Sequence, residues 1–155
     1  MKIAIIGSHG TGKTTICNEF IKKHPEYFLI PEIARVFGIE KIEKCIDVQK
    51  EMFLCQKFIE NRHKNFIADR SLLDFGIYSM NHDFIKECKE NIRYDYIFYI
   101  PIRFNLVNDR FRNLDENFRR KIDDLFQKHM PYNTIIIKSL NINERIKEIE
   151  QKVFI

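Results

Sequence analysis

The sequence has no tryptophan, and only 5 glycines and 4 prolines stand among its 155 residues. No Pro/Gly/Ser-rich linker, repeat or low-complexity stretch interrupts it, so composition gives no reason to divide the chain. No apolar run approaches the ~18 residues of a membrane span, and the first residues lack the pattern of a secretory signal. We therefore expect one domain over residues 1–155, a cytoplasmic location and no membrane partner.

Cysteine is also scarce, with 4 widely spaced residues. None belongs to a C-x-x-C pair or lies at zinc-finger spacing from a histidine, which argues against a disulfide framework and a zinc site. Neither acidic nor basic residues strongly predominate. The 26 basic and 22 acidic residues give a net charge of +4 and are interleaved along the chain. This mild excess suits a phosphorylated ligand and neither requires nor excludes nucleic acid.

What the chain does contain is a phosphate-binding loop close to its start. Residues 7–14 read G-S-H-G-T-G-K-T and follow the apolar run 3–6. In the pattern G-x-x-x-x-G-K-[ST], glycines let the backbone approach a phosphate, the lysine reaches the β- and γ-phosphates, and the hydroxyl ligates Mg²⁺. We therefore expect ATP and Mg²⁺ as cofactors. The residues expected to bind ATP are Gly7, Ser8, His9, Gly10, Thr11, Gly12, Lys13, Thr14 and Thr15.

Short apolar runs alternate with helical periodicity along the rest of the chain. The apolar runs predict strands at residues 2–6, 27–30, 65–68, 94–100 and 133–137. Helical spacing predicts helices at 14–23, 47–64, 71–91 (with a break near 81–82), 111–125 and 142–153. This β-α alternation predicts an α/β fold: a doubly wound, five-stranded parallel sheet with helices on both faces, the fold of P-loop NTPases and kinases. Ligands of such sheets bind at the carboxyl ends of the strands.

Two acidic residues follow predicted strands at that edge of the sheet. Glu32 follows the second strand and is a candidate general base for an acceptor hydroxyl. Asp69 follows the third strand and, with Thr14, is a candidate ligand of Mg²⁺. Arg35 and Arg70 are candidates for binding the substrate or a phosphate.

Purely structural roles remain open for the same residues. Glu32 could be an acid in the first turn of a helix with a surface partner. Asp69 or Ser71 could cap the next helix, and Asp74 could pair with Arg70 at helical spacing.

An arginine-rich segment follows the fourth predicted strand. It contains Arg103, Arg110, Arg112, Arg119 and Arg120, interleaved with acidic residues. One interpretation is a solvated amphipathic helix. The other is a lid over residues 103–128, in which Arg110, Arg112 and Arg119 close over the phosphates of ATP and stabilise charge in the transition state.

These motifs together resemble those of the NadR-type P-loop kinases, the AAA_28 family, which is more distantly related to deoxynucleoside and thymidylate kinases. The resemblance rests on the phosphate loop, Pro31-Glu32-x-x-Arg35, Asp69-Arg70-Ser71 and the stretches at 94–101 and 117–123. It implies that Glu32 serves as general base and that Asp69-Arg70-Ser71 binds metal and substrate. The lid of such kinases often carries Asp-Gly-x-Arg, and here residues 109–112 have an arginine in place of the glycine.

The sequence thus predicts a P-loop phosphotransferase that moves the γ-phosphoryl group of ATP to a hydroxyl or phosphate of a nucleoside- or nucleotide-like small molecule. The expected catalytic residues are Lys13, Glu32, Asp69, Arg70 and Arg112. Glu32, Arg35 and Arg70 are expected to bind the acceptor. Two alternatives stay open: a kinase acting on a polynucleotide or a modified base within one, and a nucleotide-binding regulatory ATPase without a small acceptor.

Overall fold

The computed structural model describes residues 1–39, 44–103 and 115–155. Within these residues, parallel strands form a single sheet in the order β2-β3-β1-β4-β5. The strands are β1 (Lys2–Ile6), β2 (Phe28–Ile30), β3 (Phe66–Asp69), β4 (Tyr96–Tyr99) and β5 (Ile135–Ile136). The predicted doubly wound, five-stranded parallel sheet is therefore confirmed.

Helices connect the strands and cover both faces of the sheet. They are α1 (Lys13–Lys23), α2 (Ile33–Val36), α3 (Ile46–Arg62), α4 (Leu72–Ser79), α5 (His82–Glu90), α6 (Glu116–His129) and α7 (Ile142–Val153). The break predicted near 81–82 is real: Met80 has a positive φ of 54°, and the Asn81 side chain caps α5. The one-turn helix α2 has no counterpart in the predicted elements.

The central strands are buried on both faces, which explains their uninterrupted apolar sequence. On one face, Ile3 and Ile5 of β1 pack with apolar residues of α1 and α7. On the other face, Ala4 and Ile6 pack with apolar residues of α4, α5 and α6. Helix α3 covers the neighbouring strands β2 and β3 on this second face. None of the helices in the described part of the chain is both long and apolar enough to cross a membrane.

Gly76 allows α4 and α5 to pack closely. A Cβ at this position would lie 2.8 Å from the Ile85 Cα atom and 3.1 Å from the Cys88 Sγ atom. Backbone atoms cannot move aside as a flexible side chain can, so a side chain at residue 76 would push the two helices apart.

We therefore expect Gly76→Ala to lower the free energy of unfolding by about 1–3 kcal/mol, the usual cost of overpacking. This loss should appear although alanine has the higher intrinsic helix propensity, by ~1 kcal/mol. Denaturant unfolding measures it, with Lys86→Ala on the exposed face of α5 as control. A Gly76→Ala protein at least as stable as wild type would contradict this packing.

Candidate active site at the phosphate loop

The phosphate loop between β1 and α1 depends on glycine for its shape. Gly7, Gly10 and Gly12 have positive φ values of 138°, 74° and 92°, in a region that other residues rarely adopt. A Cβ at Gly7 would also lie 2.5 Å from the Ile100 carbonyl oxygen. The loop therefore needs glycine at residue 7 for both backbone conformation and space.

Helix α1 begins without a side-chain cap. Its N-cap residue is Gly12, which has no side chain to accept a hydrogen bond. The first N–H groups of a helix need acceptors from outside it, and the helix dipole favours a negative charge there. The start of α1 is therefore suited to a phosphate group.

Two buried arginines hold carbonyl oxygens of the loop from the core side. Arg119 of α6 donates from Nε to the His9 carbonyl oxygen at 2.9 Å and from Nη2 to that of Gly10 at 3.0 Å. Arg145 of α7 donates from Nη1 to the Thr11 carbonyl oxygen at 3.0 Å. Because C=O and N–H point in opposite directions across a trans peptide, the N–H groups of the following residues point away from the arginines. This orientation leaves them directed toward a ligand.

Lys13 is buried at the same loop. Its Nζ atom donates to the Ser8 carbonyl oxygen at 2.7 Å and lies 3.5 Å from the Thr11 hydroxyl. Burial, followed by the positive charge of Arg70, lowers the pKa of Lys13 to about 8, while nearby carboxylates oppose the shift. A phosphate near this ammonium would favour its charged form.

Asp69, at the end of β3, contacts the loop through Thr14. The Thr14 hydroxyl donates to Asp69 Oδ2 at 2.5 Å. Asp69 is 2% exposed, and its Oδ1 atom is buried with no hydrogen-bond partner among the described residues. Burial, and then the charge of Glu32, raises the pKa of Asp69. A hydroxyl beside a carboxylate with an unsatisfied oxygen fits Mg²⁺, which prefers oxygen ligands.

Glu32 and two arginines lie beside Asp69 at this site. Arg70 donates from Nε to Glu32 Oε1 at 2.8 Å, and its Nη2 atom lies 2.6 Å from the same oxygen. Arg35 donates from Nε to Glu32 Oε2 at 2.8 Å. Burial alone would raise the pKa of Glu32, but Arg70, Arg35 and Lys13 together lower it to about 2. Glu32 is thus a stable carboxylate anion whose two oxygens both face guanidinium groups.

Arg70 makes these contacts while its own backbone is in an unusual conformation. Its φ is 91°, although it is not a glycine. The guanidinium group lies over the Tyr78 ring, 4.8 Å from its centre, and its Nη1 atom is 3.5 Å from Asp74 Oδ1. Asp74 also accepts hydrogen bonds from the N–H and hydroxyl groups of Ser71, which caps α4. The cap at Ser71 and the pairing of Asp74 with Arg70 were both open possibilities in the sequence.

The structure brings four of the predicted site residues together around one cavity of about 80 Å³. They are Thr14, Glu32, Arg35 and Asp69. Of the other loop residues, Thr15 is exposed in the first turn of α1. His9 is buried, with its ring 5.9 Å from that of Phe118 and 6.2 Å from that of Tyr78.

The predicted lid is described only in part, at residues 103 and 115–128. Arg110 and Arg112 lie outside the described residues, so their closing over ATP stays a prediction. Residues 116–128 belong to α6, which packs into the core through Phe118, Ile122 and Phe126. Arg119 was predicted to close over the phosphates of ATP; in the structure it contacts the loop's carbonyl oxygens from the core side.

Arg145 was not among the predicted site residues. It stands far along the sequence from the loop, and no motif marks it. Its position carries one signal: it is a charged residue on the apolar side of α7, beside Ile146 and three residues after Ile142. A buried arginine usually has specific partners, and here the partners are the Thr11 and Ser139 carbonyl oxygens.

The parallel sheet and the phosphate loop together define a P-loop NTPase fold, and comparison with known proteins agrees with this class. The chain belongs to the AAA domain family AAA_28, whose sequence profile matches residues 2–145. The resemblance drawn from the motifs is thereby confirmed. No curated protein matches the chain by sequence.

Several solved structures are similar in fold. Deoxyadenosine kinase from M. mycoides with bound dATP has a TM-score of 0.68 at 19% identity, with 99% of each chain covered. NadR protein in complex with NR has a TM-score of 0.77 at 17% identity, covering 99% of this chain and 51% of that one. Shikimate kinase from Aquifex aeolicus has a TM-score of 0.62 at 18% identity, covering 99% and 96%. These likenesses, at identities of 17–19%, show that the chain shares the fold of these proteins.

The arginine contacts on the loop lead to a test with a matched control. Arg119→Met removes the donors to the His9 and Gly10 carbonyl oxygens while keeping an unbranched side chain, and Arg120→Met removes the exposed arginine beside it. Unsatisfied buried carbonyls cost about 1–3 kcal/mol. We expect Arg119→Met to raise the Kd for ATP by ~10-fold, since the loop loses its preset shape, and Arg120→Met to leave it unchanged.

Isothermal titration calorimetry at fixed Mg²⁺ gives both Kd values. Equal ATP affinity in the two variants would show that Arg119 does not set the shape of the loop. If Arg119→Met does not fold, Arg145→Met applies the same test from the other helix, at the Thr11 carbonyl oxygen.

Proposed function

We propose that this protein is an ATP- and Mg²⁺-dependent kinase that transfers the γ-phosphoryl group to a hydroxyl group of a nucleoside-like small molecule. The observation that carries this proposal is the Glu32–Arg70 ion pair next to the Thr14–Asp69 contact. This proximity supports a role for the Glu32 carboxylate in receiving an acceptor hydroxyl beside the groups suited to phosphate and Mg²⁺. A bare nucleotide-binding switch has no need of the first feature.

Each residue has a defined task in this proposal. Lys13 and the N–H groups of the loop bind the β- and γ-phosphates. Thr14 and Asp69 hold Mg²⁺, which when bound neutralises charge on the phosphates. Arg70 stabilises charge on the phosphoryl group in transfer. The bond from the γ-phosphorus to the bridging oxygen breaks as the bond to the acceptor oxygen forms.

Glu32 orients the acceptor hydroxyl in this scheme. Its low pKa makes it a weak base before reaction, but it is a strong hydrogen-bond acceptor at every working pH. In a loose phosphoryl-transfer transition state, the acceptor proton becomes acidic only late. A carboxylate that positions the hydroxyl and then receives its proton therefore suffices.

The charge balance on the acceptor side favours a hydroxyl over a phosphate acceptor. In the described part of the chain, Arg70 already faces Glu32 and Asp74, and Arg35 faces Glu32. A nucleoside monophosphate would bring two negative charges next to these carboxylates. An uncharged alcohol adds none. The similarity in fold to a deoxyadenosine kinase lends further support to a nucleoside-like acceptor.

Transfer of label from [γ-³²P]ATP tests the proposal directly. The purified protein is incubated with Mg²⁺ and nucleosides, nucleoside monophosphates, oligonucleotides with a 5′-hydroxyl group, or no acceptor. We expect a labelled nucleoside product. Labelled oligonucleotide alone would indicate a polynucleotide kinase, and phosphate release alone a regulatory ATPase; either result would overturn the proposal.

The Glu32→Gln substitution tests the acceptor half of the site. It keeps the size of the side chain and removes its charge, so we expect kcat to fall on the order of 10²-fold. The KM for ATP should change little because Glu32 does not contact the phosphate loop. Glu51→Gln, on the exposed surface of α3, is the control. Loss of ATP affinity with normal kcat at saturation would assign Glu32 a structural or metal-binding role.

A further inference from the structure

The turn between β3 and α4 is held by hydrogen bonds from two side chains of other segments, Gln56 and Tyr94. Gln56 of α3 donates from Nε2 to the Arg70 carbonyl oxygen at 3.0 Å. The Tyr94 hydroxyl accepts a hydrogen bond from the Leu72 N–H group at 2.9 Å. The two backbone groups that flank Ser71 are thus fixed by side chains from other parts of the chain.

Glu60 joins these two side chains into one network. Its Oε1 atom accepts a hydrogen bond from Gln56 Nε2 at 2.8 Å and another from the Tyr94 hydroxyl at 2.6 Å. Gln56 is 0% exposed and Glu60 is 6% exposed. Both N–H bonds of the Gln56 amide are therefore used, one on Glu60 and one on Arg70.

A buried carboxylate whose hydrogen-bond donors are neutral lowers the stability of a folded protein relative to an apolar side chain at the same position. Burying it costs several kcal/mol unless its hydrogen bonds are nearly complete. Burial raises the pKa of Glu60, against the hydrogen bonds from Tyr94 and Gln56. Apolar residues would pack here at lower cost, so stability alone is a poor explanation for the network.

The backbone of Arg70 supplies a better explanation. A non-glycine residue with a φ of 91° costs about 1–3 kcal/mol and persists only where its surroundings hold it. Relaxation to negative φ would turn the side chain away from Glu32 and the Tyr78 ring. The network holds the carbonyl of Arg70 itself and the N–H group two residues later, which are the groups that such a relaxation would move.

We propose that Gln56, Glu60 and Tyr94 are positioning residues for phosphoryl transfer, because they keep Arg70 in the conformation that aims its guanidinium group at Glu32. They touch neither ATP nor acceptor in this account and act only through Arg70. The inference rests on the proposed kinase function for its effect on rate, but its structural half can be measured without any activity.

Tyr94→Phe is the sharpest variant because it removes one hydroxyl and keeps the ring. Its matched control is Tyr96→Phe, which also removes one hydroxyl. Tyr96 lies two residues further along the chain, and its ring packs on the opposite face of the sheet from that of Tyr94. Gln56→Met is a second variant that removes the donor to Arg70 while keeping the length of the side chain.

The first readout is steady-state kinetics with the acceptor found in the labelling assay. We expect Tyr94→Phe and Gln56→Met to lower kcat by ~10-fold or more, as a small misplacement of a charged group does. Their KM for ATP should stay within about twofold of wild type, since the phosphate loop is unchanged. Tyr96→Phe should match wild type in both.

The second readout is the titration of Glu32 by ¹³C NMR of its side-chain carboxyl group. The wild-type protein and Tyr96→Phe should show a pKa of about 2 for Glu32. In Tyr94→Phe and Gln56→Met, a displaced guanidinium group should let this pKa rise toward the ordinary range of glutamate. A network that only stabilises the core would lower the melting temperature and leave the Glu32 titration unchanged.

The outcomes separate the two proposals. A raised Glu32 pKa in both variants supports the structural half, that the network holds Arg70 against Glu32. If no acceptor is phosphorylated, the kinase proposal fails and the effect on rate fails with it. An unchanged Glu32 pKa with unchanged kcat overturns the positioning role while an active wild-type enzyme keeps the kinase proposal. Should Gln56→Met not fold, Tyr94→Phe decides alone.

Discussion

The phosphate loop can bind an anion only if its peptide groups keep their N–H side toward the ligand. Two helices, the loop glycines and the edge of the sheet all contribute to this orientation or to the groups beside it. Arg119 and Arg145 hold the carbonyl oxygens of residues 9–11 from helices that cover opposite faces of the sheet. Glycine supplies the positive φ values that the loop then requires. The sheet brings the ends of β2 and β3 to the same edge, so the acids that follow them arrive beside the loop.

Buried charge in this site is balanced locally. Glu32 lies between two guanidinium groups, and Arg70 lies between Glu32 and Asp74. Asp69 differs, because its Oδ1 atom has no hydrogen-bond partner in the part of the chain that the structure describes. An unsatisfied buried carboxylate oxygen is costly in a folded protein. Binding of Mg²⁺ by Asp69 and the neighbouring threonine hydroxyl would explain why this oxygen has no partner within the described residues.

Sequence patterns over a few neighbouring residues predicted the strands, the phosphate loop and Asp69. The apolar runs placed the strands, the glycine and lysine spacing placed the loop, and Asp69 was recognisable because it follows an apolar strand. Contacts between distant segments have no such signal. In the sequence, Arg145, Gln56 and Glu60 look like ordinary helix residues, and nothing there signals the positive φ of Arg70. The arginine-rich segment also predicted that Arg119 belongs to a lid. In the structure Arg119 lies in α6, which packs on the core, and an interleaved charge pattern alone does not distinguish such a helix from one in a lid.

The orientation of the loop peptides is the central claim, and NMR of the loop amides tests it most directly. ATP with Mg²⁺ is titrated into ¹⁵N-labelled protein while the amide signals of Gly10, Thr11 and Gly12 are followed. Hydrogen bonds to phosphate should shift these amide protons strongly downfield at saturation, with smaller shifts at residues of α5. Binding of ATP that leaves the three loop amides unmoved would contradict the account.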